Sequence, residues 1–479
     1  MRNRTRLLIT GLVATAMIAT TVGSTTAATT KKKTTKKKTT VTTKAPVTTK
    51  APVATAAPAT TAAPATTAAP TVPAASSASA DSQIDLNGFK LGQDKIKIGA
   101  SLILSGPFAF LGAFQRNSLQ VEIDRINAAG GVGGAKLELV TRDDGGPAVT
   151  DAAKANNNAR EFVNDPSIGL VVGPTISGTY AAVKGVYEQG KKVNCQAGVA
   201  SDQGFGTVLR YGFRAQDAAA DVVPLTLKYL KEQKIGIVGL VYTNNATGKD
   251  YDKLIPDSAD KLKIVWAGTA FTQASDQTHA PQVKELLDVF KTRPELNPAI
   301  WIDNDANAAK TVSAAKAAGF KGIFVGGSGL GSYLVVDSGG DGMEDAIYEA
   351  PYQGALSRIP LDQQPKSYAA HSSEVIKRFG YEKGTKQPVQ QWAGTAIIAD
   401  CIVMYATAVA KAKSVDADTV VKSWESLKFN YGELPSGVPA SFSTTDHETH
   451  EVADLYLWRW KKDAKGWYVE LARKADSAK

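Results

Sequence analysis

With 479 residues the chain has room for two or three domains with cores of their own. Its net charge of +9 invites a nucleic-acid or membrane partner, but eleven of the basic residues lie within the first 82 positions, against Asp81 alone. The remainder carries about one net negative charge, so basicity says nothing about what the folded part binds, and no nucleic-acid partner is expected.

At the N-terminus Arg2, Arg4 and Arg6 precede the apolar run Leu7 to Val22, and Thr25-Thr26-Ala27-Ala28 supplies small residues for cleavage. Residues 1–28 therefore read as a secretory signal peptide. No other stretch reaches the roughly 18 to 20 apolar residues of a membrane span. The signal has no cysteine, so export to the periplasm or cell envelope without a lipid anchor is expected. Residues 29–82 shrink to Thr, Lys, Ala, Pro, Val and Ser, with Thr-Thr-Lys-Lys-Lys occurring twice. Lacking large apolar groups to offset the entropy of ordering, this segment reads as a disordered linker. Its lysines suit contact with anionic cell-wall polymers, and slack alone is the competing reading.

The folded region begins near Gln93 and repeats strand, loop, helix. Strands are expected at 96–104, 136–141, 168–172, 192–195, 235–242, 263–269, 299–302 and 322–325. Helices are expected at 115–127, 149–164, 177–189, 218–232, 280–292 and 306–318. Short apolar runs alternating with longer amphipathic stretches predict parallel sheets with helices on both faces. Residues 387–413 read as one long buried helix, and 451–473 as a terminal hairpin. The run Ile96 to Gly112 takes a strand through Ser105-Gly106-Pro107 into a helix, a junction at which parallel sheets hold small ligands. So many strands predict two lobes of similar build with a ligand between them.

Several landmarks then stand in order: Ile98-Gly99-Ala100, Ser105-Gly106-Pro107, Asp124-Arg125-Ile126-Asn127-Ala128-Ala129-Gly130-Gly131 and Asp143-Asp144. Val171-Val172-Gly173-Pro174, Ala315-Lys316-Ala317-Ala318-Gly319-Phe320 and Gln391-Trp392-Ala393 follow. In this order and spacing the chain resembles the type I periplasmic binding proteins of ABC transporters, in the leucine/isoleucine/valine-binding branch. The resemblance covers about Ile96 to Arg473. It implies an α/β fold of two Rossmann-like lobes, 93–212 plus 350–430 and 213–349 plus 431–475. Crossings are placed near 210–216, 347–353 and 431–441. It also implies capture of a small molecule by hinge closure and delivery to an ABC permease, by a monomer without cofactor.

By position in that family, Ser177 and Gly178 at a helix start hold a ligand carboxylate, and Gly198, Val199 and Ala200 form a second anchoring loop. Phe108, Leu111, Thr247 and Asn304 fall where the family lines its pocket. Ser328 stands where the amino-acid binders place an acid for the ligand's ammonium. Either Asp202, Asp303 or Asp305 replaces that acid, or the ligand is a small carboxylate or amide without an ammonium; the second reading is favoured. The resemblance puts Cys195 and Cys401 in the first lobe, and a disulfide and two buried thiols both remain open.

Enzymatic readings lack support. His447-Glu448-Thr449-His450 has its histidines three apart instead of the four of a zinc helix motif. Gly327-Ser328-Gly329-Leu330-Gly331 lacks the full dinucleotide spacing, and no nucleophile elbow is present. No enzyme activity, cofactor or metal is expected. The alternative to transport is a ligand sensor or envelope interaction protein built on the same lobes.

Overall fold

The computed structural model describes residues 78–146, 150–205, 209–273, 275–303, 308–350, 359–380 and 394–476. The first stretch forms β1 (Lys95–Leu102), α1 (Ala109–Ala128), β2 (Lys136–Asp143), α2 (Ala152–Asn164), β3 (Ile168–Val172) and α3 (Ser177–Gln189). Next come β4 (Asn194–Gln196), the short helix α4 (Asp202–Phe205) and β5 (Gly212–Arg214). Their five strands make one all-parallel sheet in the order β2-β1-β3-β4-β5. Alternation along the strands assigns its two faces. Leu170 and Val172 join Ile96, Ile98, Ala100 and Leu102 in one core, while Val171 points into the other with Phe162 and Tyr180.

The second stretch forms α5 (Ala219–Glu232), β6 (Ile235–Thr243), α6 (Ala246–Lys261), β7 (Val265–Thr272), α7 (Ala280–Lys291), β8 (Asn297–Ile302), α8 (Ala308–Ala317), β9 (Ile323–Gly326), α9 (Tyr333–Gly339) and β10 (Ile347–Ala350). The chain then returns to the first sheet with α10 (Lys366–Phe379), α11 (Gly394–Ala412) and α12 (Ala417–Trp424). A small ladder of β11 (Lys428–Phe429) and β12 (Ala440–Ser441) follows. The hairpin β13 (Tyr456–Asp463) and β14 (Gly466–Arg473) closes the second sheet in the order β14-β13-β10-β9-β8-β6-β7, antiparallel only where the hairpin joins. Each sheet thus has helices on both faces and two cores. This is the doubly wound α/β architecture expected, in two lobes.

Two elements, α6 and β5, run against their local sequence. Helix α6 carries Gly248 and Pro256, yet Tyr251, Ile255 and Ala259 recur every four residues and are buried. Helix α11 is described only from Gly394; the expected start at 387–393 lies outside the described residues. Residues 210–216, read as a crossing, contain β5, because Phe213 is buried between Trp424 and His447 at centroid distances of 4.3 Å and 4.2 Å. Complete burial of an aromatic side chain contributes about 2 to 3 kcal/mol, enough to outweigh the polar neighbours.

A disulfide joins Cys195 of β4 to Cys401 of α11, with Cα atoms 5.8 Å apart, tying the late helix to the sheet. The last passage between sheets runs through 431–441 and on past His450. Leu434, Ala440 and Phe442 pack on the first core, Tyr431 and Val438 already pack on a core of the second sheet, and that sheet's strands resume after Leu455. Along this passage the chain runs parallel to β5: Arg214 N donates to His447 O (2.9 Å) and Thr449 N to Arg214 O (2.8 Å). Asp217, Glu349 and His450, from the first, second and third passages, meet in one buried cluster. His450 Nδ1 donates to Asp217 Oδ1 at 2.6 Å, and Glu349 hydrogen-bonds Asp217. Burial works to raise the Asp217 carboxyl, but the imidazolium of His450 overcomes it and holds Asp217 below its ordinary value. Burial and the neighbouring Asp217 push Glu349 well above the carboxylate range, so it is the proton-bearing member.

Candidate functional site

Two strand-to-helix junctions face each other across the lobes. In the first lobe β3 leads to α3, whose N-cap is Ile176; that side chain makes no hydrogen bond to the first-turn amides. Ser177, the first helical residue, is 4 % exposed. Its Oγ accepts from Ser201 N at 3.2 Å and lies 3.4 Å from Thr247 Oγ1 of the second lobe. A helix start with unpaired donors and the positive end of the peptide dipoles favours an anion. Ser177 is therefore not its own helix's N-cap but a hydroxyl aimed across the cleft.

The loop after β4 is drawn against this junction. A Cβ on Gly198 would lie 2.2 Å from Thr175 O, so only glycine permits the approach. Of the anchoring trio, Val199 is a core residue beside Phe162 and Tyr180, because its side chain completes that apolar layer. Its carbonyl accepts from Arg214 Nη1 (3.4 Å), and Ala200 O accepts from Ala219 N (3.0 Å). Gly178 is exposed, with open space around its Cα. The loop atoms that reach the start of α3 belong to Ser201, one residue further on. Its N–H reaches Ser177, and its hydroxyl donates to Asp250 Oδ2 of α6 at 2.6 Å. Asp202 N donates to the same oxygen at 2.8 Å. Asp250 thus clasps the second lobe to the first, and its place one turn beyond Thr247 was the signal in the sequence.

On the second lobe Asn245 caps α6 by accepting from Gly248 N (2.7 Å), and its Nδ2 donates to Asp303 Oδ2 (2.8 Å). Asp303 also accepts from Thr243 N at 2.9 Å, so it braces the β6 and β8 ends. Asp202 faces the buried Arg214 at 3.3 Å, and Glu448 takes the same guanidinium at 2.5 Å. Ser328, 6 % exposed, receives Gln216 Nε2 of the first passage at 3.3 Å. Phe108 and Leu111 are half-buried at the start of α1, with Phe108 and Phe110 centroids 6.0 Å apart. Asn304 and Asp305 lie outside the described residues.

The Ser105-Gly106-Pro107 junction turns out differently from its sequence promise. Asp143 accepts from Leu104 N (2.9 Å), Ser105 Oγ (2.6 Å), Gly145 N (2.8 Å) and Lys154 Nζ (2.9 Å), so these loop donors are spent within the lobe. Burial opposes the charge of Asp143, yet these donors hold it well below the usual carboxylate value.

Two arrangements imitate catalytic sites. Ser118 Oγ lies 3.0 Å from His371 Nε2, whose Nδ1 lies 2.8 Å from Glu122 Oε1, but all three are sealed between α1 and α10. His447 is buried against Phe213 and Gly212 O, and His450 pairs with Asp217. Among the described residues no group of three or more His, Cys, Asp or Glu is arranged to hold a metal ion.

A family model described as periplasmic binding protein matches residues 95–465. The chain belongs to the periplasmic binding protein family. It is 21 % identical over 400 residues to the Leu/Ile/Val-binding protein homolog 8 of Brucella suis, covering 80 % of this chain and 93 % of that one. Among solved structures it resembles the branched-chain amino acid transporter substrate binding protein LivJ of Streptococcus pneumoniae in complex with isoleucine. That match has a TM-score of 0.63 and 20 % identity over 79 % of this chain and all of that one. It also resembles an R. palustris solute binding protein in complex with 4-hydroxybenzoate, with a TM-score of 0.67 and 14 % identity over 80 % of this chain and 98 % of the other. Proteins of this family bind small molecules, and these likenesses show that this chain has the same fold.

Proposed function

We propose that the protein is an exported solute-binding protein that captures a small carboxylate-bearing molecule between its lobes and delivers it to an ABC permease. The observation that carries this reading is the uncapped start of α3, with Ser177 facing Thr247 at 3.4 Å and Ser201 N bridging to it. The carboxylate would sit on the Ser177 hydroxyl and the first-turn amides, where donors and dipole both favour negative charge. Thr247 and Ser328 would close from the other lobe, with Phe108 and Leu111 as apolar wall. The ligands named for the two structural neighbours, isoleucine and 4-hydroxybenzoate, differ in most respects but share a carboxylate, which supports this assignment.

Closure would be held by the Asp250 clasp and guided by the three passages through the Asp217, Glu349 and His450 cluster. The lobes would divide just after β5, near β10 and in the stretch between β12 and β13, and the protein would act as a monomer. Residues 1–28 would direct export without lipid attachment, and 29–82 would span the envelope, its lysines against anionic wall polymer. The test is thermal unfolding of the full chain with amino acids, hydroxy acids, aromatic acids and amides. A carboxylate at one hundred times its dissociation constant adds about 2.7 kcal/mol and raises the midpoint visibly. Stabilisation by uncharged amides but by no carboxylate would overturn the assignment of Ser177.

A further inference from the structure

We propose that Gln216 is a specificity-determining residue of the cleft, which with Ser328 selects a ligand bearing a neutral hydrogen-bond donor, a hydroxyl or amide, in place of an ammonium. The inference rests on the carboxylate reading above and defines the other polar group of the same ligand.

Gln216 sits on the first passage and is 2 % exposed. Its Nε2 donates to Asp217 Oδ2 and to Ser328 Oγ, each at 3.3 Å, so one amide joins the hinge to the second lobe. The ionised Asp217 only accepts hydrogen bonds, so the amide nitrogen must face it, and the orientation of Gln216 follows from its partners. Oε1 is left buried and, among the described residues, without a hydrogen-bond partner. A buried carbonyl oxygen without a donor is costly, and a ligand donor beside Ser328 removes the cost.

The surrounding charge decides which donor. Behind Gln216 the imidazolium of His450 faces the carboxylate of Asp217, with Asp454 and Asp400 also near it, and Glu349 is held neutral, so the carboxylate beside Gln216 already has its counter-cation. The other described acids of the cleft are engaged by internal donors. Asp250 takes Ser201 Oγ and Asp202 N, Asp303 takes Thr243 N and Asn245 Nδ2, and Asp202 faces Arg214. A desolvated ammonium would meet a carbonyl and hydroxyls with no opposite charge of its own, which does not repay its dehydration. A hydroxyl or amide N–H needs one acceptor, and Oε1 is one.

The experiment is calorimetric titration of the full chain with two matched pairs. These are 2-hydroxy-4-methylpentanoate against leucine, and 4-(hydroxymethyl)benzoate against 4-(aminomethyl)benzoate. The hydroxyl member should bind tighter by about tenfold or more in whichever pair binds, as for a site built around one hydrogen bond. Ser328→Asp, which returns a carboxylate to this spot and leaves Gln216 in place, should reverse the preference. Gln216→Met, close in shape but without the acceptor, should erase the advantage of the hydroxy acid over 4-methylpentanoate. Equal or tighter binding of the ammonium member by the natural chain overturns the proposal while leaving the carboxylate reading intact. So does an unchanged preference in Ser328→Asp. Binding of none of these carboxylates removes both readings.

Discussion

The starts of α3 and α6 face each other across the cleft and are built in opposite ways. Asn245 caps α6, and Asp303 in turn receives the Asn245 amide, so that helix start is satisfied within its own lobe. Ile176 offers α3 nothing, and the nearest hydroxyl, Ser177, points at the other lobe. One junction is finished by its own cap and the other has no side-chain cap, which is where the proposed function puts the ligand. In the proposed reading this difference would give the site a polarity, with the anionic end of a ligand on the first lobe and neutral groups on the second.

The largest expected effect calibrates stability apart from both junctions. Asp400 on α11 accepts from Ser436 N at 2.8 Å, its Oδ2 has no hydrogen-bond partner among the described residues, and burial pushes its carboxyl up to about 7. Because the folded form holds the proton more tightly, this residue costs stability progressively as pH rises from about 4 to about 7. Denaturant unfolding of Asp400→Asn should show a gain of up to about 4 kcal/mol at pH 8 and almost none below pH 4. Next, Ile176→Asp gives α3 the cap that α6 already has. Ligand affinity should fall at least about tenfold from the added charge, while the unfolding midpoint holds or rises, since a cap contributes about 1 kcal/mol. A lost midpoint with intact affinity would break the comparison. Smallest, Asn245→Ala should lower stability by about 1 kcal/mol in denaturant unfolding, with a smaller change in affinity than any substitution at α3.

Much of this architecture was legible because parallel strands buried on both faces leave unbroken apolar runs, as Ile168 to Val172 does. The short strand β5 was not, because three residues carry no period and Phe213 is held by Trp424, two hundred positions away. Helix α6 was hidden by Gly248 and Pro256, which the spacing of Tyr251, Ile255 and Ala259 overrides. Ser177 and Thr247, singled out by position in the family, do meet between the lobes, and Ser328 meets Gln216, whereas the Ser105 junction keeps its donors within its own lobe. Its local pattern is the same strand-to-helix junction, and only the distant Asp143 determines that its donors are already used. Ser201, Asp250 and Gln216 escaped notice for the same reason: their contacts with the other lobe exist only once the two lobes meet.

The most direct measurement is calorimetric titration of the full chain and of Ser177→Ala with the tightest carboxylate found. The account predicts a loss of about 1 to 3 kcal/mol in binding, with the ligand-free unfolding midpoint nearly unchanged. Unchanged affinity in Ser177→Ala would contradict it, and would place the anion somewhere other than the start of α3.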